Sequence, residues 1–125
     1  MENETPKKIL LIEDDRSLQN ALSEMLSQEG YQTISALDGE EGVKKAEEDK
    51  PDLIILDIIL PKKDGYEVLA EIKKGNSKDI PVLILTNLEE VHDVQKAISL
   101  GATTFMVKSD FSLKDILEKV KENLR

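Results

Sequence analysis

The chain is predicted to fold as an α/β domain, a doubly wound five-stranded parallel sheet with helices on both faces. Two observations predict it. Continuous aliphatic runs alternate along the chain with helically spaced apolar stripes, five of each. The aliphatic runs are not broken by alternating polar residues, which is the mark of strands buried on both faces. Right-handed crossovers then leave few topologies.

The elements follow in order. Ile9-Leu10-Leu11-Ile12 is the first strand, and Leu18, Ala21, Leu22, Met25 and Leu26 form the stripe of a helix that Gly30 stops. Tyr31 to Ala36 is a second strand, rich in β-formers. Asp38-Gly39 reads as a turn, and Val43 and Ala46 mark a helix ending before Pro51. Leu53 to Leu56 is the most apolar strand and is placed centrally. Ile58 to Gly65 reads as a loop with a turn at Asp64-Gly65, followed by a helix through Val68, Leu69 and Ile72 that closes at Gly75-Asn76. Pro81 opens a fourth strand, Val82 to Leu85, and Val91, Val94, Ala97 and Ile98 line a helix stopped at Gly101. Thr104 to Val107 is the fifth strand. Ser112 with Asp115 makes a capping box for a last helix, whose apolar face is Leu113, Ile116, Leu117, Val120 and Leu124.

Composition narrows the function classes. The 125 residues fit one domain, and 17 basic against 26 acidic residues give a formal charge of −9. Such a balance argues against broad contact with nucleic acid or an anionic membrane. The absence of cysteine removes disulfides, thiolate nucleophiles and zinc-thiolate sites. No secretory signal or membrane-spanning run is legible, so a cytoplasmic location is expected.

Polar residues collect where strands end: Glu13-Asp14-Asp15 after the first, Asp57 after the third, Thr86 after the fourth, Lys108 after the fifth. In open α/β sheets, functional groups gather beyond those ends. Asp15 and Thr86 read most simply as helix caps, and Lys108 alone as a surface charge. Asp57 has no such simple reading, because it directly follows four aliphatic residues of the central strand. At an effective dielectric near 20, two carboxylates about 6 Å apart repel by roughly 3 kcal/mol, so a crowd of them calls for a cation. Oxygen ligands without His or Cys suit a hard ion such as Mg²⁺. A carboxylate beside Mg²⁺ and an ammonium has what acyl-phosphate formation requires, with Asp57 as nucleophile.

The stretches Lys8-Ile-Leu-Leu-Ile-Glu-Asp-Asp15, Leu56-Asp-Ile-Ile-Leu-Pro-Lys-Lys-Asp-Gly65, Leu85-Thr86, Gly101-Ala102 and Phe105-Met-Val-Lys108 resemble the receiver domains of two-component response regulators. The resemblance spans essentially the whole chain. It implies a single receiver domain over 1–125 with a flexible N-terminal extension over 1–6, and a flavodoxin-like (βα)5 fold of strand order 2-1-3-4-5. It also implies that Asp57 takes a phosphoryl group from a phosphohistidine on a histidine kinase or histidine phosphotransfer protein. Mg²⁺, replaceable by Mn²⁺, would be held by Asp14, Asp57 and the Ile59 carbonyl, with Glu13 acting mainly through water. Thr86 would swing its hydroxyl to the phosphoryl oxygens, Lys108 would pair with the phosphate, and Phe105 would turn inward as the aromatic switch. The surface of fourth helix, fifth strand and fifth helix would then bind a downstream protein, as a monomer or a phosphorylation-dependent homodimer.

Four departures from the family pattern matter. Ser109 replaces the proline that commonly follows the strand-five lysine, and a cis bond without proline costs about 3–4 kcal/mol, which favours trans. Asn87 replaces a smaller residue beside Thr86. Ile59 and Leu88 are apolar where the family tunes phosphoryl lifetime, so slow self-dephosphorylation is expected. Thr103-Thr104 differs from the Asp-Asp of many winged-helix transcription factors, which modestly lowers the option of a truncated multidomain regulator; a stand-alone regulator is expected. A Mg²⁺-dependent aspartyl-phosphate phosphatase is disfavoured by Ile59, and a flavin module by the acidic run Glu13-Asp14-Asp15. His92 reads as a solvated helix position, Met25 and Met106 as core, and Tyr66 as packing at the start of the third helix.

Overall fold

The computed structural model describes residues 5–75, 78–87 and 91–124. Leu88, the side chains of Val91 and His92, Asn76, and the first four residues of the expected N-terminal extension lie outside the described residues. The strands are β1 (Lys8–Ile12), β2 (Gln32–Ala36), β3 (Leu53–Leu56), β4 (Val82–Thr86) and β5 (Thr104–Val107). The helices are α1 (Arg16–Gln28), α2 (Gly39–Asp49), α3 (Gly65–Lys74), α4 (Val91–Ser99) and α5 (Leu113–Leu124). All strand pairs are parallel, in the order β2-β1-β3-β4-β5.

The uninterrupted strand runs are explained by two cores. Successive side chains of a strand point to opposite faces. Leu10, Ile12, Ile54, Leu56, Val82 and Ile84 pack one way against Ala46 of α2, Val68, Leu69 and Ile72 of α3, and Ala97 of α4. Ile9, Leu11, Leu53, Ile55, Leu83 and Leu85 pack the other way against Leu22 and Leu26 of α1 and Ile116 and Val120 of α5. A one-residue slip of any strand would exchange its two sets of neighbours.

Local signals differ from expectation at two glycines. Asp38-Gly39 and Asp64-Gly65 are helix starts, with Asp38 accepting from Glu41 N at 2.9 Å and Asp64 from Glu67 N at 3.0 Å. Glycine is needed there by close approach, since a Cβ on Gly65 would lie 2.4 Å from Ile58 Cα and one on Gly39 2.0 Å from the Lys63 carbonyl oxygen. The loop after Asp57 therefore ends at Asp64, one residue early. Asp15 caps α1 and the Ser112–Asp115 capping box caps α5, as expected.

Thr86 does not stand after β4 but is its last residue, paired with Val107 and fully buried. Ile98 and Leu113, assigned to apolar faces, are exposed. Helix α4 meets the core through Ala97, which turns Ile98 outward, and Leu113 begins α5 a turn before the helix reaches the sheet at Ile116. The Lys108–Ser109 peptide is trans, as favoured, and opens a 3-10 turn over Lys108–Asp110.

Candidate functional site

Strand register assembles the site. Ile12 of β1 pairs with Leu56 of β3, so the next residues, Glu13 and Asp57, leave the sheet side by side. The Asp57 N–H extends the ladder by donating to the Ile12 carbonyl at 3.0 Å. On the far side of β4, Lys108 follows Val107 at the end of β5 and reaches back over the strand ends. Its Nζ lies 2.8 Å from Glu13 Oε1 and 2.9 Å from Asp57 Oδ2.

Each carboxylate has a second anchor. Glu13 Oε2 accepts from the Asp15 N–H at 3.0 Å, and Asp57 Oδ1 accepts from the Ile59 N–H at 3.2 Å. Glu13 and Asp57 are buried and Asp14 is exposed at the rim. One carboxylate oxygen from each of Glu13, Asp14 and Asp57 lies within 4.8 Å of the other two. The donor set is all oxygen and open on the Asp14 side, which fits a hard divalent ion that keeps several waters.

Burial is the largest influence on the Glu13 carboxyl and pushes its pKa up. The Lys108 hydrogen bond and the Asp15 N–H pull it down without cancelling that push, and the Asp57 charge adds to it. For Lys108, burial acts to lower the pKa, but the hydrogen bonds to Glu13 and Asp57 and their charges outweigh it, and the ammonium is held more firmly protonated than usual. The site thus carries a fixed cation at one side and an exposed carboxylate at the other.

The structure brings Glu13, Asp14, Asp57 and Lys108 into one cluster. Thr86 ends β4, and Phe105 lies on β5, where it pairs with Ile84 and packs, half-buried, on the core that Ala97 of α4 also joins. Ile59 is exposed, at 56%, two residues after Asp57. Asn87 is exposed next to Thr86.

Two residues gain contacts that the sequence does not announce. Gln19, a polar residue on the Leu22–Leu26 face of α1, is buried beneath Glu13 and donates to the Ala36, Glu13 and Leu11 carbonyls. Its signal is there to see: an amide at a helical position reserved for hydrocarbon. Tyr66 does more than pack, since its hydroxyl donates to Asp93 Oδ1 at 3.0 Å and Lys96 Nζ sits 4.2 Å from the ring centre, joining α3 to α4. Among the described residues no helix is long and apolar enough to cross a membrane.

A family model described as the response regulator receiver domain matches residues 9–121. The alkaline phosphatase synthesis transcriptional regulatory protein PhoP of Bacillus subtilis is 43% identical over 119 residues, covering 95% of this chain and 49% of that protein. The probable transcriptional regulator ycf27 of Guillardia theta is 39% identical over 122 residues, covering 98% of this chain and 47% of its own. The chain spans about half the length of the curated relatives it matches. A CheY-like response regulator receiver domain protein from Methanospirillum hungatei superposes with a TM-score of 0.90 at 28% identity, covering 96% of this chain and 94% of that one. A chain of the CheX-CheY-BeF3-Mg²⁺ complex from Borrelia burgdorferi gives 0.87 at 30% identity, covering 94% and 88%.

Proposed function

The chain belongs to the response regulator receiver domain family, and we propose that Asp57 is its phosphoryl acceptor in a two-component or phosphorelay pathway. The observation that carries this reading is the convergence of three carboxylates within 4.8 Å, two of them sharing one ammonium. A carboxylate oxygen of Asp57 attacks the phosphorus of a phosphohistidine on a histidine kinase or phosphotransfer protein. The P–N bond breaks and its electron pair stays on the imidazole nitrogen. Asp14, Asp57 and the Ile59 carbonyl would hold Mg²⁺, or Mn²⁺ in its place, with Glu13 acting mainly through water. When bound, the ion supplies positive charge for the phosphoryl oxygens.

This chain's own residues do the rest. Lys108 gives up its bond to Asp57 Oδ2 and pairs with the transferred phosphoryl group. Thr86 turns its hydroxyl toward that group, and Phe105 moves inward into the space vacated. The face formed by α4, β5 and α5 changes shape with it, which makes the domain a switch that biases a protein partner. It acts in the cytoplasm, catalyses only its own phosphoryl gain and loss, and touches no nucleic acid directly.

A second reading is favoured by the half-length match to transcriptional regulators: the chain is the receiver half of such a regulator, and phosphorylation pairs two copies through the same face. Sedimentation with and without beryllofluoride separates a monomeric switch from this dimer. The proposal itself is tested by incubation with a small acyl-phosphate donor and Mg²⁺. Wild type gains one phosphoryl mass and Asp57→Asn gains none; an unlabelled wild type overturns it.

A further inference from the structure

Gln19 is 6% exposed, and its Nε2 lies 2.9 Å from the Ala36 carbonyl oxygen, 3.2 Å from that of Glu13 and 3.4 Å from that of Leu11. All three neighbours are acceptors, so only the amide nitrogen can face them. They sit at the ends of β1 and β2. The Glu13 N–H also donates to the Ala36 carbonyl, at 3.1 Å. Glu13 is thereby held at both of its main-chain polar atoms, and the peptide joining it to Asp14 has its carbonyl tied down. Both carboxylates of the rim leave from this one peptide.

Packing alone does not call for an amide here. Leu22 and Leu26, on the same face of α1, fill their places with hydrocarbon. A buried amide is tolerated only when its donors are used, and the Gln19 side-chain amide donates to the β1 and β2 ends.

We infer that Gln19 is a positioning residue for the cation site: by fixing the Glu13–Asp14 peptide, it sets how these two carboxylates face Asp57 and so sets the affinity for a hard divalent ion. The inference deepens the Mg²⁺-dependent reading above and rests on it. Groups that orient metal ligands from behind typically contribute 10–100-fold in affinity. The pre-set peptide angle spares the ion the work of ordering it.

The test is calorimetric Mg²⁺ binding by the wild type, Gln19→Leu, Gln19→Met and Leu22→Ala, together with the Mg²⁺ dependence of phosphorylation by an acyl-phosphate donor. Gln19→Met keeps length and volume should Gln19→Leu not fold. Leu22→Ala removes packing from the same helix face but no hydrogen bond. Both Gln19 variants are expected to bind Mg²⁺ about 10-fold more weakly. Their Mg²⁺ half-saturation in phosphorylation rises by the same factor, with the rate at saturating Mg²⁺ little changed. Leu22→Ala keeps wild-type affinity. Wild-type affinity in the folded Gln19 variants, or an equal loss in Leu22→Ala, overturns the inference alone. A wild type that binds no Mg²⁺ overturns the cation reading with it.

Discussion

Lys108 Nζ stands 2.9 Å from Asp57 Oδ2, across 51 residues of chain, and the same ammonium lies 2.8 Å from Glu13 Oε1. One cation thus serves two buried carboxylates. Lys108→Ala leaves both without it, beside Asp14, and is expected to lower stability by roughly 1.5–3 kcal/mol in chelator, the scale of a charged hydrogen bond lost from a buried partner. Added Mg²⁺ should narrow the gap. Chemical denaturation with and without the ion measures both, and a variant as stable as wild type in chelator contradicts the geometry.

Asp57→Asn has opposing effects. It loses the attraction to Lys108 at 2.9 Å and relieves two repulsions, from Glu13 and Asp14, across less than 4.8 Å; the two effects are of similar gross Coulombic size and largely offset each other. A neutral amide is also easier to bury than a carboxylate. The variant is therefore expected to melt higher in chelator, by about 3–5 °C for each 1 kcal/mol gained. A clear fall in melting temperature would show that the Lys108 bond outweighs carboxylate crowding.

Mg²⁺ should raise the wild-type melting temperature by mass action, with about 2.7 kcal/mol of added stability at 100 times its dissociation constant. Asp14 is exposed and makes no part of either core, so Asp14→Asn loses no packing and relieves repulsion of Glu13 and Asp57; it should not lower the chelated protein's stability, while removing most of the Mg²⁺ response. Scanning calorimetry over a Mg²⁺ series checks it; an undiminished response in Asp14→Asn counts against the cation site.

Ile59 places an apolar side chain, 56% exposed, two residues after Asp57. Apolar atoms there hinder the approach of an attacking water, so the acyl phosphate should persist for minutes or longer. Ile59→Asn offers water a hydrogen-bonding partner and is expected to speed hydrolysis about tenfold, equivalent to ~1.4 kcal/mol of barrier. Radiolabel decay in Mg²⁺ buffer measures the lifetime, and loss from wild type within seconds would refute the expectation.

Tyr66 is held neutral by its surroundings: burial first, then the hydrogen bond to Asp93, push its pKa up from 10.0 to about 12. In the unfolded chain the phenol ionises from pH 10, whereas in the folded protein it does not until about 12. The stability it contributes is complete below pH 10 and is lost as pH rises to 12. The difference between wild type and Tyr66→Phe, about 1 kcal/mol at neutral pH for a hydrogen bond at a half-buried site, should shrink over that window. Phenolate absorbance should show one of the two tyrosines titrating near pH 12, absent in Tyr66→Phe.

Much of the fold is legible because burial is written in side-chain periodicity. Runs such as Leu53-Ile54-Ile55-Leu56 need cover on both faces, and only helices on both sides of a parallel sheet supply it. Asp57 was legible for the same reason, as a carboxylate at the end of the most apolar strand. The Asp-Gly pairs misled because one signal serves turns and helix starts alike, and the choice between them is made by the close contact of Gly65 with Ile58.

By itself the sequence determined which strands are buried, that Asp15 and Ser112 cap helices, and which end of the sheet carries charge, since each depends on neighbours a few residues away. Only the tertiary structure decided that one ammonium bridges Glu13 and Asp57, that Gln19 ties down the peptide between Glu13 and Asp14, and that Tyr66 joins α3 to α4. Those bonds form within about 3 Å and depend on strand register and helix rotation. Periodicity specifies which face a residue takes, and leaves undetermined which atom of a distant segment it will meet there.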